Sequence, residues 1–194
     1  MAMAATNTYG DVTFNFTNQT WTGFNFTDVT ASLSPNEITG TFTGATISVT
    51  LNASVSFTYA NDLAIYVDVA PLSTGGFLQL GGFSNLSASQ RYSWPNGGSD
   101  TPGTTVTGTV NFTTPRTFTG NPAVDGTIWV GNGYGASGTS GTWTGTLTLH
   151  GINSTPLGAT SVPEVSTLGA GGLLGAGAFW ALRRRQRIQQ SGNA

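Results

Sequence analysis

The chain has 194 residues, of which only 7% are charged, against roughly a quarter in ordinary soluble domains. It has 28 glycines, one histidine, no lysine and no cysteine. Disulfides, cysteine-ligated zinc and a thiolate nucleophile are therefore excluded. Before position 183 only Arg91 and Arg116 are basic, so the Lys/Arg footprint that nucleic acid demands is missing. The length fits one domain plus a tail. Charge divides along the same line. Residues 1–161 hold seven acidic against two basic side chains, a net −5, and residues 162–194 hold one against four, a net +3. Such a split signals different environments for the two parts.

The first residues, 1–8, lack the charged and apolar regions of a complete export signal. Ala2-Met3-Ala4 nonetheless matches the small-residue end of one. We expect residues 1–8 to be a signal-peptide remnant, with cleavage after Ala4, and a β domain to occupy residues 9–152. From Asp11 onward the pattern is short runs with period two. Val12, Phe14 and Phe16 share a face, as do Ile47, Val49 and Leu51. Further runs begin at Leu63, Gly76, Thr105 and Thr142. Alternation with β-branched and aromatic residues predicts half-buried strands. Clusters such as Ser34-Pro35-Asn36, Asn96-Gly97-Gly98-Ser99 and Gly131-Asn132-Gly133 punctuate them. Nine to eleven strands are expected, in an all-β, antiparallel β-sandwich of jelly-roll type. The 33 threonines suit the solvent face of such sheets. With so little charge to discourage edge pairing, the edges should be covered or bulged.

Few residues offer chemistry. Asp62 and Asp68 fall at the two ends of one strand, about 20 Å apart at strand rise, too far for a paired-carboxylate hydrolase. Asp62, Asp68, Asp100 and Asp125 are the candidates for a calcium site, each also readable as an ordinary turn aspartate. No other cofactor is called for. His150 has no Gly-x-Ser-x-Gly elbow to serve and reads as a strand-end residue. Gly131 to Gly135 resembles a phosphate loop in composition, but no helix follows it. Trp129 and Trp143 sit in apolar alternation and are expected in the core. Tyr92 and Trp94 lie in a polar, turn-like segment. They are either a stacking platform for sugar rings or a loop anchor on the sheet. The Asn-x-Ser/Thr triplets are those expected by chance at this composition.

Residues 60–150 carry a resemblance. Tyr59-Ala60-Asn61-Asp62-Leu63-Ala64-Ile65-Tyr66-Val67 resembles the Asp-Leu strand of proprotein-convertase P-type domains. Asp125 to Val130 with Gly138 to Leu147 resembles their closing strands and Gly-rich loop. The resemblance implies a jelly-roll sandwich. No catalytic role comes with it, because the protease partner of that family is not part of this sequence. The Pro-Ser-Gly turn of the family is replaced by Asp68-Val69-Ala70-Pro71-Leu72-Ser73.

A linker, 153–161, with Pro156 and Gly158, leads to the tail. Residues 166–182 carry no charge. As a helix they would span about 26 Å, close to the roughly 30 Å of a bilayer's hydrocarbon core. Leu168, Leu173, Leu174, Phe179, Trp180 and Leu182 are the expected lipid-facing anchor. Arg183, Arg184, Arg185 and Arg187 follow at once and should stay cytoplasmic with residues 188–194, leaving the body on the other side. Just before the span stand Val162, Pro163, Glu164 and Val165. Motif, span and Arg cluster in this order resemble the PEP-CTERM sorting domain of exported bacterial proteins (residues 162–187), with Val165 in place of its second proline. That resemblance implies processing by exosortase, a membrane protease-transpeptidase. The expected function is that of a non-enzymatic, membrane-anchored or processed bacterial surface or extracellular-matrix protein. The alternatives are a module that binds exopolysaccharide and, through the Thr142, Thr144, Thr146 and Thr148 ladder, an ice- or mineral-binding protein.

Overall fold

The structure, a computed structural model, describes residues 4–8, 10–30, 33, 38–70 and 75–153. The linker from residue 154, the sorting motif, the expected span and the Arg cluster lie outside the described residues. Among the described residues no helix is long and apolar enough to cross a membrane.

Ten strands occur among the described residues: β1 Ala4–Thr8, β2 Asp11–Thr22, β3 Phe26–Asp28, β4 Thr39–Val55, β5 Leu63–Asp68, β6 Leu78–Leu80, β7 Gln90–Tyr92, β8 Thr105–Thr119, β9 Thr127–Asn132 and β10 Ser140–Asn153. They build two five-stranded sheets, in the orders β1-β2-β10-β4-β8 and β3-β9-β5-β6-β7. All pairings are antiparallel except β6 with β7. The all-β expectation therefore holds. Ahead of Asp11, within the segment expected as a signal-peptide remnant, Ala4 to Thr8 pair with Asn15 to Asp11 as the edge of the larger sheet.

Alternation explains the core. Val12, Phe14 and Phe16 of β2 are buried, as are Ile47, Val49 and Leu51 of β4 and Trp143, Leu147 and Leu149 of β10. They form one apolar cluster with Leu63, Ile65 and Val67 of β5, Leu78 and Leu80 of β6, and Ile128 and Val130 of β9. Period two forces the intervening residues onto the opposite faces. In β9 this puts Trp129 outside, half-buried, with its Nε1 donating to the Asp68 carbonyl at 3.3 Å. The expectation of a core Trp129 is corrected: its neighbours Ile128 and Val130 take the inner face.

The alternation in β2 changes phase once. Gln19 faces Trp143 and Phe16 faces Gly145, so Thr17 and Asn18 together oppose Thr144. This is a β-bulge. Asn18 adopts φ 48°, a left-handed conformation that Asn tolerates better than most residues. The bulge is pinned from outside. The Asn18 N–H donates to Thr144 Oγ1 at 2.9 Å, and Asn52 Nδ2 donates to Asn18 Oδ1 and to Thr144 Oγ1, each at 2.7 Å. The phase change is what turns Trp21 inward, 2% exposed, against Trp143 with ring centroids 5.9 Å apart.

Threonine dominates the outer face of the larger sheet. Thr13, Thr148, Thr46 and Thr109 stand in register across β2, β10, β4 and β8. Their hydroxyls meet in pairs, Thr13 with Thr148 at 2.8 Å and Thr46 with Thr109 at 2.7 Å. Thr20 with Thr142 repeats the contact at 2.7 Å. Cross-strand pairs of this kind contribute roughly 0.2–1 kcal/mol each.

Indole N–H groups join elements that the sheets do not. Trp143 Nε1 donates to the Ala60 carbonyl at 3.0 Å, and Trp21 Nε1 donates to Thr27 Oγ1 of β3 at 2.9 Å. Trp143 is fully buried. Its replacement in Trp143→Ala should cost about 3–5 kcal/mol and lower the urea midpoint without changing the native far-ultraviolet circular dichroism spectrum in water.

Candidate functional site

The structure places Trp94 inside. It is 5% exposed and belongs to the core cluster, and its Nε1 donates to the Leu63 carbonyl at 2.7 Å. Tyr92 is half-buried, with its hydroxyl 3.2 Å from Gln90 Oε1 and 3.1 Å from Thr113 Oγ1 and its ring tilted against Phe112 at 4.8 Å. Neither ring is free as a stacking platform, and of the two readings the anchor is the one realised. The reason is the pleat of β7. Its alternation sends Tyr92 and Trp94 toward the core and leaves Arg91 and Ser93 exposed.

Arg91 and Ser93 line a cleft of about 450 Å³ together with Tyr59, Asn61 and Phe83, with Trp94 also at its wall. A second hollow of about 160 Å³, lined by Phe57, Tyr59, Phe83 and Tyr134, shares Tyr59, Asp62 and Phe83 with the first. Three of the four exposed aromatic rings among the described residues, Phe57, Tyr59 and Phe83, stand here. Phe83 is 74% exposed and Phe57 71%. Phe83 meets Tyr134 edge to face at 5.6 Å.

The loops that carry these rings are tightly braced. Asp62 is 3% exposed. Its Oδ2 accepts from the Tyr59 N–H at 2.7 Å, and its Oδ1 accepts from the Phe83 N–H at 2.9 Å. One carboxylate thus holds both aromatic walls by their backbones. Gln79, fully buried in β6, fixes the rest of the Phe83 loop. Its Nε2 donates to the carbonyls of Gly81 and Ser84, at 2.9 and 2.8 Å, and its Oε1 accepts from the Leu86 N–H at 2.9 Å. Arg91 Nη2 adds a bond of 2.7 Å to the Phe83 carbonyl. Gly81 must be glycine: φ is +77°, and a Cβ would collide with Trp94 Nε1 and the Leu63 carbonyl. Phe57 is held differently. Ser56 and Phe57 have φ of 55° and 62°, unfavourable for both residues and worst for the ring-bearing one. Thr58 Oγ1, donating to the Val55 carbonyl at 2.9 Å, and Ser54 Oγ, donating to the Thr58 carbonyl at 2.7 Å, close this turn. Sequence reading missed Phe57, Tyr59, Phe83 and Tyr134. The usable signal was aromatics set among Gly, Ser and Asn, as in Gly81-Gly82-Phe83-Ser84-Asn85, with no apolar partner two residues away.

The four candidate calcium ligands do not converge. Among the described residues no three His, Asp or Glu side chains group to hold a metal. Asp62 is engaged as described. Asp68 Oδ1 accepts from the Val69 N–H at 2.7 Å. Asp100 lies half-buried in a loop. Asp125 Oδ2 accepts from the Thr119 N–H at 2.6 Å, from Thr119 Oγ1 at 3.0 Å and from the Asn121 N–H at 3.0 Å. The two best-held carboxylates titrate in opposite directions. Burial raises the Asp62 pKa above 3.8, although the Tyr59 and Phe83 N–H groups pull it down. For Asp125 burial also acts to raise the pKa. The hydrogen bonds from Thr119 and Asn121 and the charge of Arg116 outweigh it and bring the pKa below 3.8.

His150 stands in a row of three. Its Nδ1 is 3.1 Å from Asp11 Oδ1, and its Nε2 is 2.7 Å from Thr46 Oγ1. A carboxylate at Nδ1 keeps the ring proton there and leaves Nε2 to accept from the hydroxyl. The order acid, imidazole, hydroxyl is that of a hydrolase relay. Thr46, however, sits in the middle of β4, where the ladders to β10 and β8 pair the backbone on both sides. No free N–H pair is provided there for an oxyanion.

Comparison with protein-family models, with curated proteins and with solved structures finds no match for this chain.

Asp125 yields a test with a defined sign. Its contribution to stability is present above the unfolded carboxyl pKa and lost as pH falls through the lower folded value. Asp125→Ala removes the acceptor of the part-buried donors of Thr119 and Asn121 and should cost about 1 kcal/mol at pH 7. In urea melts taken from pH 7 to pH 2.5 the gap to the parent protein should close at the acid end. Asp62 has the reverse sign: its contribution is full below 3.8 and declines as pH rises through its folded pKa. Because Asp62, Asp68 and Asp125 already serve backbone donors, millimolar calcium should leave the melting temperature within about 1 °C of its value in chelator, whereas a ligand at 100 times its Kd would stabilise by about 2.7 kcal/mol.

Proposed function

We propose that this is a non-catalytic display protein of the bacterial envelope. Its β-sandwich would stand on the outer side of the inner membrane, and its C-terminal segment would anchor it and be the substrate of an exosortase-type enzyme. The observation that carries the reading is the ordered succession of Pro163-Glu164, an uncharged stretch over 166–182 and the cluster Arg183, Arg184, Arg185 and Arg187. The arginines would hold their end in the cytoplasm. Processing near Pro163-Glu164 would release the body or transfer it to the cell surface or matrix.

The body is consistent with this role. The order β2-β10-β4-β8 facing β3-β9-β5-β6 is that of an eight-stranded jelly roll, with β1 and β7 added at edges, and we read the sandwich as one. Such a fold gives a rigid scaffold with few charged side chains. The absence of a reaction is part of the proposal. Asp62, Asp68 and Asp125 serve backbone donors, and the His150 row lies on a paired sheet face without a preformed anion cradle.

Fractionation of cells expressing the full chain tests the anchor. The protein should sediment with membranes, and removal of residues 162–194 should transfer most of it to a soluble or released fraction. Reversing Arg183, Arg184, Arg185 and Arg187 to glutamate should weaken retention. Unchanged distribution in both variants would defeat the scheme. Hydrolysis of p-nitrophenyl acetate that His150→Ala abolishes would defeat the non-catalytic part.

A further inference from the structure

The cleft between the Tyr59 turn and the Phe83 loop presents exposed rings that the scaffold itself does not need. Phe83 and Phe57 expose most of their surface, at a cost in apolar hydration that burial would remove. Phe57 is also held in a left-handed backbone region that is unfavourable for such a residue. Meanwhile Asp62 and Gln79, both buried, spend their polar atoms on fixing the backbones beneath Tyr59 and Phe83. Exposed rings on rigidly braced loops form a preorganised surface, which lowers the ordering cost of binding.

The chemistry of the walls selects the occupant. Rings stand at Tyr59 and Phe83, and between them lie an amide, a hydroxyl and a guanidinium from Asn61, Ser93 and Arg91. A pyranose ring has matching chemistry, with an apolar C–H face for an aromatic ring and hydroxyls at its rim for polar groups. The charge points to a neutral sugar. The body carries −5 over residues 1–161, and the buried Asp62 carboxylate lies at the cleft wall. A polyanion would approach against both. Arg116, the other arginine of the body, is packed over the Phe77 ring at 3.4 Å and bonded to the carbonyls of Val124 and Asp125.

We propose that the cleft lined by Tyr59, Asn61, Phe83, Arg91 and Ser93 binds a neutral, hexopyranose-based polysaccharide. Phe83 and Tyr59 supply the stacking faces, Arg91 and Ser93 the polar contacts, and Asp62 is a positioning residue. This deepens the display reading, since a protein outside the membrane meets such polymers.

The experiment is affinity electrophoresis of the full chain, solubilised in mild detergent, through gels containing dextran, galactomannan, hydroxyethyl cellulose or alginate. At least one neutral polymer should retard it. Phe83→Ala or Tyr59→Ala should weaken retardation about tenfold, equal to about 1.4 kcal/mol, and the double variant should abolish it. Thr107→Ala, on the outer face of the larger sheet, should change nothing. Urea melts confirm that each variant is folded. Lack of retardation by every polymer, equal retardation of all variants, or preference for alginate would overturn the proposal. So would concentration-dependent self-association that Phe83→Ala removes in a protein no polymer retards, because the rings would then cover a second copy. Loss of binding with membrane fractionation intact removes the ligand and leaves the anchor, and the converse result removes the anchor alone.

Discussion

The pleat governs this molecule. Each long strand must place one row of side chains in an apolar layer and the next in water, and it must do so almost without charge. Phe14, Ile47, Trp143 and Leu147 meet the first demand from the larger sheet, and Ile65, Leu80 and Val130 from the smaller. Threonine meets the second, because its methyl and Cβ branch suit the strand while its hydroxyl finds water or another threonine. Where the rows fall out of phase, the structure spends a bulge to restore them. Asn18 absorbs one residue in β2, and the Asn52 amide ties the bulge to Thr144. Without that step Trp21 would face solvent and lose its contact with Trp143.

The two faces of the smaller sheet are treated unequally. Leu63, Ile65 and Val67 look into the shared core, but Ala64, Tyr66 and Asp68 are buried as well. Their cover includes the loop after β6, reached by the Tyr66 hydroxyl at the Leu86 carbonyl, 2.9 Å away. A loop used as a roof needs its own internal hydrogen bonds, since its backbone has no ladder to join. Gln79 provides them from below, and Asp62 ties one end of the roof to the turn before β5. The hydrogen bonds that let this loop cover the sheet also put the rings of the cleft on firm ground.

Strand existence was legible because period two is a local signal. Asp11 to Phe16, Ile47 to Leu51 and Thr146 to Leu149 follow it without interruption. The reading failed where local polarity and alternation disagreed. Trp94 stands among Ser93, Pro95 and Asn96, which suggests exposure, yet continuing the β7 pleat buries it. Trp129 failed by the same rule in the opposite sense. The cleft was illegible for a different reason. Asp62 is 21 residues from Phe83, and Gly133, whose carbonyl accepts from the Ser84 N–H at 3.0 Å, comes from a third segment. No window of sequence contains the three.

The placement of β10 has a consequence for timing. It is the third strand of its sheet in space, between β2 and β4, but the last of the described strands in the chain. Its partners include Asp11, opposite His150. Closing a loop of that length is entropically costly and slow. Until the segment through Asn153 has been synthesised, β2 and β4 have no neighbour to separate and join them, and the larger sheet is left as fragments. The apolar layer can seal only once that segment has emerged, so a product truncated before Asn153 is left with its greasiest rows uncovered.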